Sequence, residues 1–404
     1  MQHARTTKFA LYKWQAMVAG LLIMAFTGCR GAGHPTSSHP GKKSLTTGAL
    51  FNDGKDGFEV PPFKQQAQGP GLVFIEGGMT VMGVIAEKSP HDPNPYLERT
   101  VSVASFFMDS TAVTNIAYGE YLYDLQKNAT EEAYQAAQPD EQVWVRALAF
   151  NDSLVNNYLR HPGFRYYPVV GVSWEQATAF CEWRTTMVNK ILAQDAGNRY
   201  ELDEAGALPI ESGLTVAGYR LPTEAEWEHA ARGMTLQNTD IVQSSQRIYA
   251  WDGLSLRGQK GKYKGQFLAN FKRGPGNYKG IAGENDSNGA TSSVYDYPPN
   301  EWGVHIGNGN VREWVYDLYR PLSSQDVEDF NPVRRDDVLD PAGGYDSKNN
   351  TSLIDNHARV IKGCSWKDCG YWLQVSTRRY LDQDAADAMT GFRCAMTSVS
   401  SRSQ

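Results

Sequence analysis

Beyond its first thirty residues the chain has no segment apolar enough to span a membrane, which excludes a multi-span helical membrane protein. It also lacks an excess of one charge. Its 39 Lys and Arg against 45 Asp and Glu give a formal net charge of −6. There is no basic stripe that would suggest nucleic acid as a partner. No internal repeat is visible, so a repeat architecture is excluded. What remains is the composition of an ordinary folded protein, mildly acidic and rich in aromatic residues and glycine, with 10 Trp, 21 Tyr and 38 Gly.

The one apolar run, Met17 to Phe26, follows the basic residues Arg5, Lys8 and Lys13. It is too short for a permanent span and has the length of a signal-peptide core. It leads into Phe26-Thr27-Gly28-Cys29, which resembles a lipobox although Phe26 stands where Leu is usual. In that pattern the Cys29 thiol takes a diacylglycerol and cleavage makes it the first mature residue. An ordinary secretory signal with a chance cysteine is the alternative. Arg30 differs from the Asp of an inner-membrane retention signal, so residues 1–28 are read as a lipoprotein signal for the outer membrane, periplasmic face. Residues 29–70 are rich in Gly, Ser, Thr, Pro and Lys and read as a flexible tether. Residues 71–398 read as one large domain, and 399–404 as a tail.

Short apolar runs alternate with Gly-rich polar stretches, which predicts an α+β, loop-rich domain with little regular structure. Ser173 with Gln176 forms a capping-box pattern before a helix from Trp174 to about Leu192. Its buried face is expected to carry Ala177, Phe180, Cys181, Met187, Val188 and Ile191. Thr223 with Glu226 caps a second helix that turns Trp227, Ala230 and Ala231 inward. A third follows Thr114, with Tyr118, Tyr121, Leu122 and Leu125 on one side. Strands are expected at 72–75 and at 100–108.

Six ordered blocks carry a family resemblance. They are Glu76 to Gly83, Phe107-Met108-Asp109 with Val113-Thr114-Asn115, Pro168 to Trp183, Arg220 to Glu228, Gly309 to Trp314, and Gly391 to Ala395. Together they resemble the formylglycine-generating enzymes, or sulfatase-modifying factors, over about residues 70–398. The resemblance implies a single domain of that fold, which is akin to C-type lectins. Each block also reads as structure alone: glycine turns, a capped helix with carboxylates near its N-terminus, and core aromatics.

The family binds calcium through loop oxygens. Carried over by position, one site uses Asn308 and Glu313 through side-chain oxygens and Gly309 and Val311 through carbonyls. A second uses Asn270, Phe271, Asp286 and Asn288. Such donors suit a hard cation. The alternative for Glu313 is a salt bridge to an arginine. The resemblance also implies a disulfide between Cys181 and Cys394, which an exported protein permits.

The enzymes of the family hold copper(I) with two cysteines, soft ligands for a soft ion. In register with them this chain has Asp368 and Leu373, so no copper is expected and the domain is read as a pseudoenzyme. Cys364 and Cys369 have the same spacing but lie four to five residues too early. In an extended segment that shift is roughly 15 Å, so they are read as two buried thiols or a local disulfide. The chain is further similar to a branch without the catalytic pair, the gliding-motility and type IX secretion lipoproteins of Bacteroidetes, nearer the GldJ than the GldK or PorK type. The residues concerned are Gly69 to Phe74, Asn156 to Pro162, Lys362-Gly363, Ser365 to Asp368, Tyr371-Trp372 and Arg378-Arg379-Tyr380. This resemblance implies a non-enzymatic component of that machinery, with other secretion or motility proteins as partners and the membrane reached through a lipid anchor. Trp372, Arg378 and Arg379 are its candidate interface, because aromatic and arginine side chains are enriched at hot spots. The competing readings are a copper-dependent oxidase using Cys364 and Cys369, and a glycan- or peptide-binding module.

Overall fold

The computed structural model describes residues 34–54, 58–61, 63, 65–83, 99–149, 152–197, 208–233, 247–275, 290–320, 328–335 and 357–399. Cys29 and the expected signal segment lie outside them. The chain divides into two compact units, Met1–Gln65 and Gln66–Gln404. In the first, local turns dominate, with isolated bridges between Thr36 and His39 and between Lys43 and Leu50. The second unit begins before the expected boundary at 71. Gln66 is buried and its amide bonds Thr397 O and Val399 N at 3.0 and 2.8 Å, tying the start of the unit to its last strand.

Two four-stranded sheets and a two-stranded ribbon are found among the described residues. In the first sheet β1 (Leu72–Ile75) pairs β4 (Phe106–Asp109), which pairs β10 (Ala395–Thr397), which pairs β5 (Tyr219–Arg220), all antiparallel. The ribbon is β2 (Gly78–Met82) with β3 (Arg99–Val103). The second sheet runs β8 (Arg378–Asp382), β7 (Ala358–Lys362), β6 (Arg312–Leu318), β9 (Thr390–Phe392), with β9 parallel to β6. The strand expected over 100–108 is therefore two strands in different sheets. The chain breaks at Ala104-Ser105, where Asn331 Oδ1 accepts from Ala104 N and Ser105 Oγ from Gly77 N.

The three expected helices are present. α1 (Asn115–Asn128) is capped by Thr114 and buries Tyr118, Tyr121 and Leu122. Short helices α2 (Glu131–Ala137), α3 (Val143–Ala147) and α4 (Asp152–Asn157) follow. α5 (Trp174–Ala196) has the full Ser173–Gln176 capping box and runs one turn past the expected end. Ile191 was expected on its buried face but is 52% exposed. The inward stripe drifts to Leu192, Ala193 and Ala196, against Leu208. α6 (Glu224–Arg232) has the Thr223–Glu226 capping box, and the Glu226 carboxylate also takes both ends of Arg220 at 2.6 Å.

The core lies between α1, α5 and the two sheets. Tyr118, Phe180 and Phe392 meet there, with Tyr118 stacked on Phe180 at 5.6 Å. A second cluster packs Trp227, Ala230 and Ala231 of α6 on Ile75, Met108, Val315 and Val360. At about 25 cal/mol per Å² such buried rings are the main favourable term of the fold.

Candidate functional site

The place of interest is the turn after β7, where the resemblance puts the copper thiolates. It is not extended. Asp368 N donates to Ser365 O at 3.1 Å, and Gly370–Leu373 form a 3-10 turn. The backbone folds back on itself here, so Cys364 and Cys369 are not displaced by the roughly 15 Å of an extended segment.

Asp368 is held by Arg379 and Ser365. Its two oxygens take the two guanidinium ends of Arg379 at 2.8 Å each. Oδ2 also accepts from Ser365 N at 2.9 Å and Ser365 Oγ at 2.7 Å. Burial opposes its ionisation, but the Arg379 hydrogen bonds and charge outweigh that and hold its carboxyl below the usual range. Arg379 also donates to Gly363 O and lies 4.0 Å over the Trp372 ring. Leu373 is buried with Cys364, Phe271 and Ala269. The two positions thus hold an ion pair stacked on an indole and a core leucine.

The neighbouring cysteines are both free, and the Cys364 thiol meets the Cys369 carbonyl at 3.8 Å. Cys364 is buried and its thiol donates to Ser365 O at 3.4 Å, whereas Cys369 is exposed. Burial, then the Asp368 charge, pushes the Cys364 thiol well above its ordinary range. A thiol held protonated is a poor ligand and nucleophile.

Of the candidate interface residues, the structure keeps only part. Arg378 is buried and pairs with Glu224 through Nε at 3.1 Å, so it cannot serve as a surface contact. The alternation of β8 sends Arg378 and Arg379 to opposite faces of the strand. Arg379 and Trp372 are half-buried and engaged with each other. The exposed aromatic of this strand is Tyr380, whose ring lies 4.6 Å from Tyr319.

The calcium positions separate. Glu313 accepts from Arg393 Nε and Nη2 at 2.7 Å each, and from the Trp227 indole at 2.7 Å. Arg393 is fully buried and also donates to Asp109 O and His305 O. As folded, the Glu313 side chain is the counterion of an arginine and does not fit as a calcium donor, because a dication would face a buried guanidinium. The loops themselves are joined directly: Asn270 N donates to Asn308 O at 2.9 Å and Asn310 N to Asn270 O at 2.8 Å. Gly309 has φ +67°, and a Cβ there would lie 2.1 Å from Asn270 O. Asn308 donates to Pro298 O, Val311 is buried, and Phe271 is core. Asp286 and Asn288 lie outside the described residues.

Asn310 is the residue the sequence reading missed. It adopts a left-handed φ of 73°, and its amide bonds Asn270 Nδ2, Ser292 N and Ser292 O. An Asn between Gly309 and Val311 was a signal for such a turn. A buried charge cluster was missed as well. Lys362 pairs with Glu228 at 2.7 Å and Glu224 at 3.5 Å, and Arg378 with Glu224. Beside it, burial and then the Glu224 charge raise the Asp317 carboxyl to about 7. Separately, the sulfurs of Cys181 and Cys394 lie 3.2 Å apart in the core. A cleft of about 360 Å³ opens elsewhere, lined in part by Asp109, Arg184, Tyr166, Ile191 and Tyr295.

The family model described as the Sulfatase-modifying factor enzyme 1-like domain matches residues 57–398. The chain belongs to this family. Among relatives of the sulfatase-modifying factor family, the Inactive C-alpha-formylglycine-generating enzyme 2 of Mus musculus is 26% identical over 353 residues, covering 81% of this chain and 86% of that protein. The Formylglycine-generating enzyme of Mus musculus is 27% identical over 374 residues, covering 82% and 80%. Among solved structures, PvdO from Pseudomonas aeruginosa aligns with a TM-score of 0.48 and 16% identity, over 82% of this chain and 99% of that one. A relative named inactive and one named as the enzyme are thus equally similar, so activity has to be argued from the residues in place. Among the described residues no group of three or more His, Cys, Asp or Glu stands where it could hold a metal ion, and no helix is long and apolar enough to cross a membrane.

Proposed function

We propose that this protein is a non-catalytic member of the sulfatase-modifying factor family, a lipid-anchored outer-membrane protein that supports type IX secretion, and gliding where the organism glides. One observation carries the non-catalytic reading. The Asp368–Arg379 pair and Leu373 fill the positions that the resemblance assigns to the copper thiolates. A charge-balanced carboxylate–guanidinium pair offers no soft ligand. The buried, protonated Cys364 and the exposed Cys369 do not replace one. The anchor rests on the signal-like start ending at Cys29, and the secretion role on the resemblance to the gliding-motility lipoproteins. The family's calcium, if held here, is held by the carbonyl oxygens of the 270 and 308 loops and not by the Glu313 side chain.

Purified protein should neither bind copper(I) tightly nor take up oxygen with a cysteine-containing peptide. Conversion of that peptide overturns the reading in favour of an oxidase. In cells, deletion should block secretion while Cys364→Ser leaves it intact. Cys29→Ala should abolish labelling by a palmitate analogue, and an unlabelled wild type removes the anchor.

A further inference from the structure

One surface stands apart from the acidic remainder. Between Gly253 and Pro275 the chain carries Arg257, Lys260, Lys262, Lys264, Lys272 and Arg273 and no acidic residue. The whole chain has a net charge of −6, so the rest is more acidic still. Four of the six cations lie within eight residues, too few to read as a stripe in the sequence. The fold gathers these four on one hairpin. Arg257 bridges Phe267 antiparallel, Leu268 N donates to Leu256 O at 3.0 Å, and Gly258 N donates to Gln266 O at 2.9 Å. A 3-10 turn at Gly261–Tyr263 closes it. Gly258 is required, because a Cβ there would lie 2.2 Å from Tyr263 O.

The way these charges are held is informative. A structural arginine is ordinarily neutralised by a carboxylate. Here the Arg257 guanidinium lies 3.7 Å from the Phe267 ring and donates to Gly265 O. A ring quadrupole fixes a cation without cancelling its charge. Lys260, Lys262 and Lys264 are exposed, with no carboxylate within ion-pair distance among the described residues. The nearest acid in sequence, Asp252, pairs with Arg247 at 3.0 Å. At the base of the hairpin Leu254 is 72% exposed. The base is pinned by the Trp251 indole, which donates to Ser255 O at 2.8 Å.

We propose that this hairpin docks the protein on the surface of an anionic lipid bilayer. Clustered lysines beside an exposed leucine match what a charged headgroup layer over hydrocarbon recognises. The three lysines stand exposed on the hairpin, a spread of charge that suits a diffuse charged plane. The patch also gives an acidic protein a defined face to turn toward such a surface, which would repel it elsewhere. This inference does not depend on the secretion role or on the absence of catalysis.

The test is co-sedimentation of the full chain with phosphatidylcholine vesicles, with and without phosphatidylglycerol. The triple variant Lys260→Gln, Lys262→Gln, Lys264→Gln is compared with a control neutralising Lys127, Arg160 and Lys190, exposed elsewhere on the same unit. Each cation near an anionic surface contributes about five-fold, so the hairpin variant should bind phosphatidylglycerol vesicles roughly a hundred-fold more weakly. The control should lose little, and raised salt should weaken the wild type toward the variant. Unchanged melting of both variants shows that folding is not the cause. Equal loss in hairpin variant and control overturns the proposal, as does a wild type that does not distinguish the two vesicles. Binding to an acidic protein or to nucleic acid without binding to vesicles overturns it too.

Discussion

Glu313→Gln tests what this carboxylate does. Glu313 and Arg393 are both buried and joined by two hydrogen bonds of 2.7 Å. The amide keeps the shape and can still accept from the Trp227 indole. It turns an N–H donor toward a guanidinium that has only donors, and it removes the carboxylate paired with Arg393. Breaking a buried pair by deleting one partner costs roughly 3–5 kcal/mol. For a unit of this size that is a fall in Tm of roughly 5–10 °C, since one kcal/mol shifts a large domain by about 2 °C. Thermal melts are run on Glu313→Gln, Arg393→Met and the double variant, with and without EDTA. The double variant should lose clearly less than the sum of the singles, and EDTA should leave the Glu313→Gln penalty unchanged. Additive singles refute the pair as described. A penalty that vanishes in EDTA refutes it differently, because it makes Glu313 a metal ligand after all.

The other predictions concern the core. Asp317 has its carboxyl raised to about 7 by burial and then by Glu224, so its contribution to stability is full below about pH 4 and lost as pH rises through about 7. Urea unfolding across that range should show the difference between wild type and Asp317→Asn shrinking as pH rises, even though the variant loses one of two backbone hydrogen bonds; a pH-independent difference rules this out. His229 slopes the other way, because burial lowers its pKa and stability is lost as pH falls, so His229→Gln should resist mild acid better than wild type. Cys181 and Cys394 should be recovered as one crosslinked peptide from oxidised protein, and reduction should cost a few kcal/mol because the closed loop is long. Free alkylation of both thiols in denatured, unreduced protein excludes the bond.

Most of what the sequence showed was local. The capping boxes at Ser173 and Thr223 and the Thr114 cap needed only side chains three residues from the atoms they bond, and all three helices start where those residues stand. The family was legible for the same reason, since its blocks are short runs kept in order. Face assignment failed at Ile191, where a long helix outruns the core that one end of it covers. The strand expected over 100–108 failed because an apolar run does not say where the chain leaves one sheet for another.

The partners of the charged residues were decided by the tertiary structure. Glu313 lies 80 positions from Arg393, and Lys362 lies 134 from Glu228. Position alone offered Glu313 to calcium or to an arginine, and burial beside Arg393 chose the arginine. Likewise Asp368 was visible as a missing cysteine, but only the folded turn shows it closed by Arg379 and Ser365. Arg378 and Arg379 are alike in sequence; the strand puts the first against Glu224 on one face and the second over Trp372 on the other. Electrostatic pairing acts over a few ångströms, whatever the separation along the chain. Sequence therefore determined which elements form and which family they build, and the packing of distant segments determined what each charge is for.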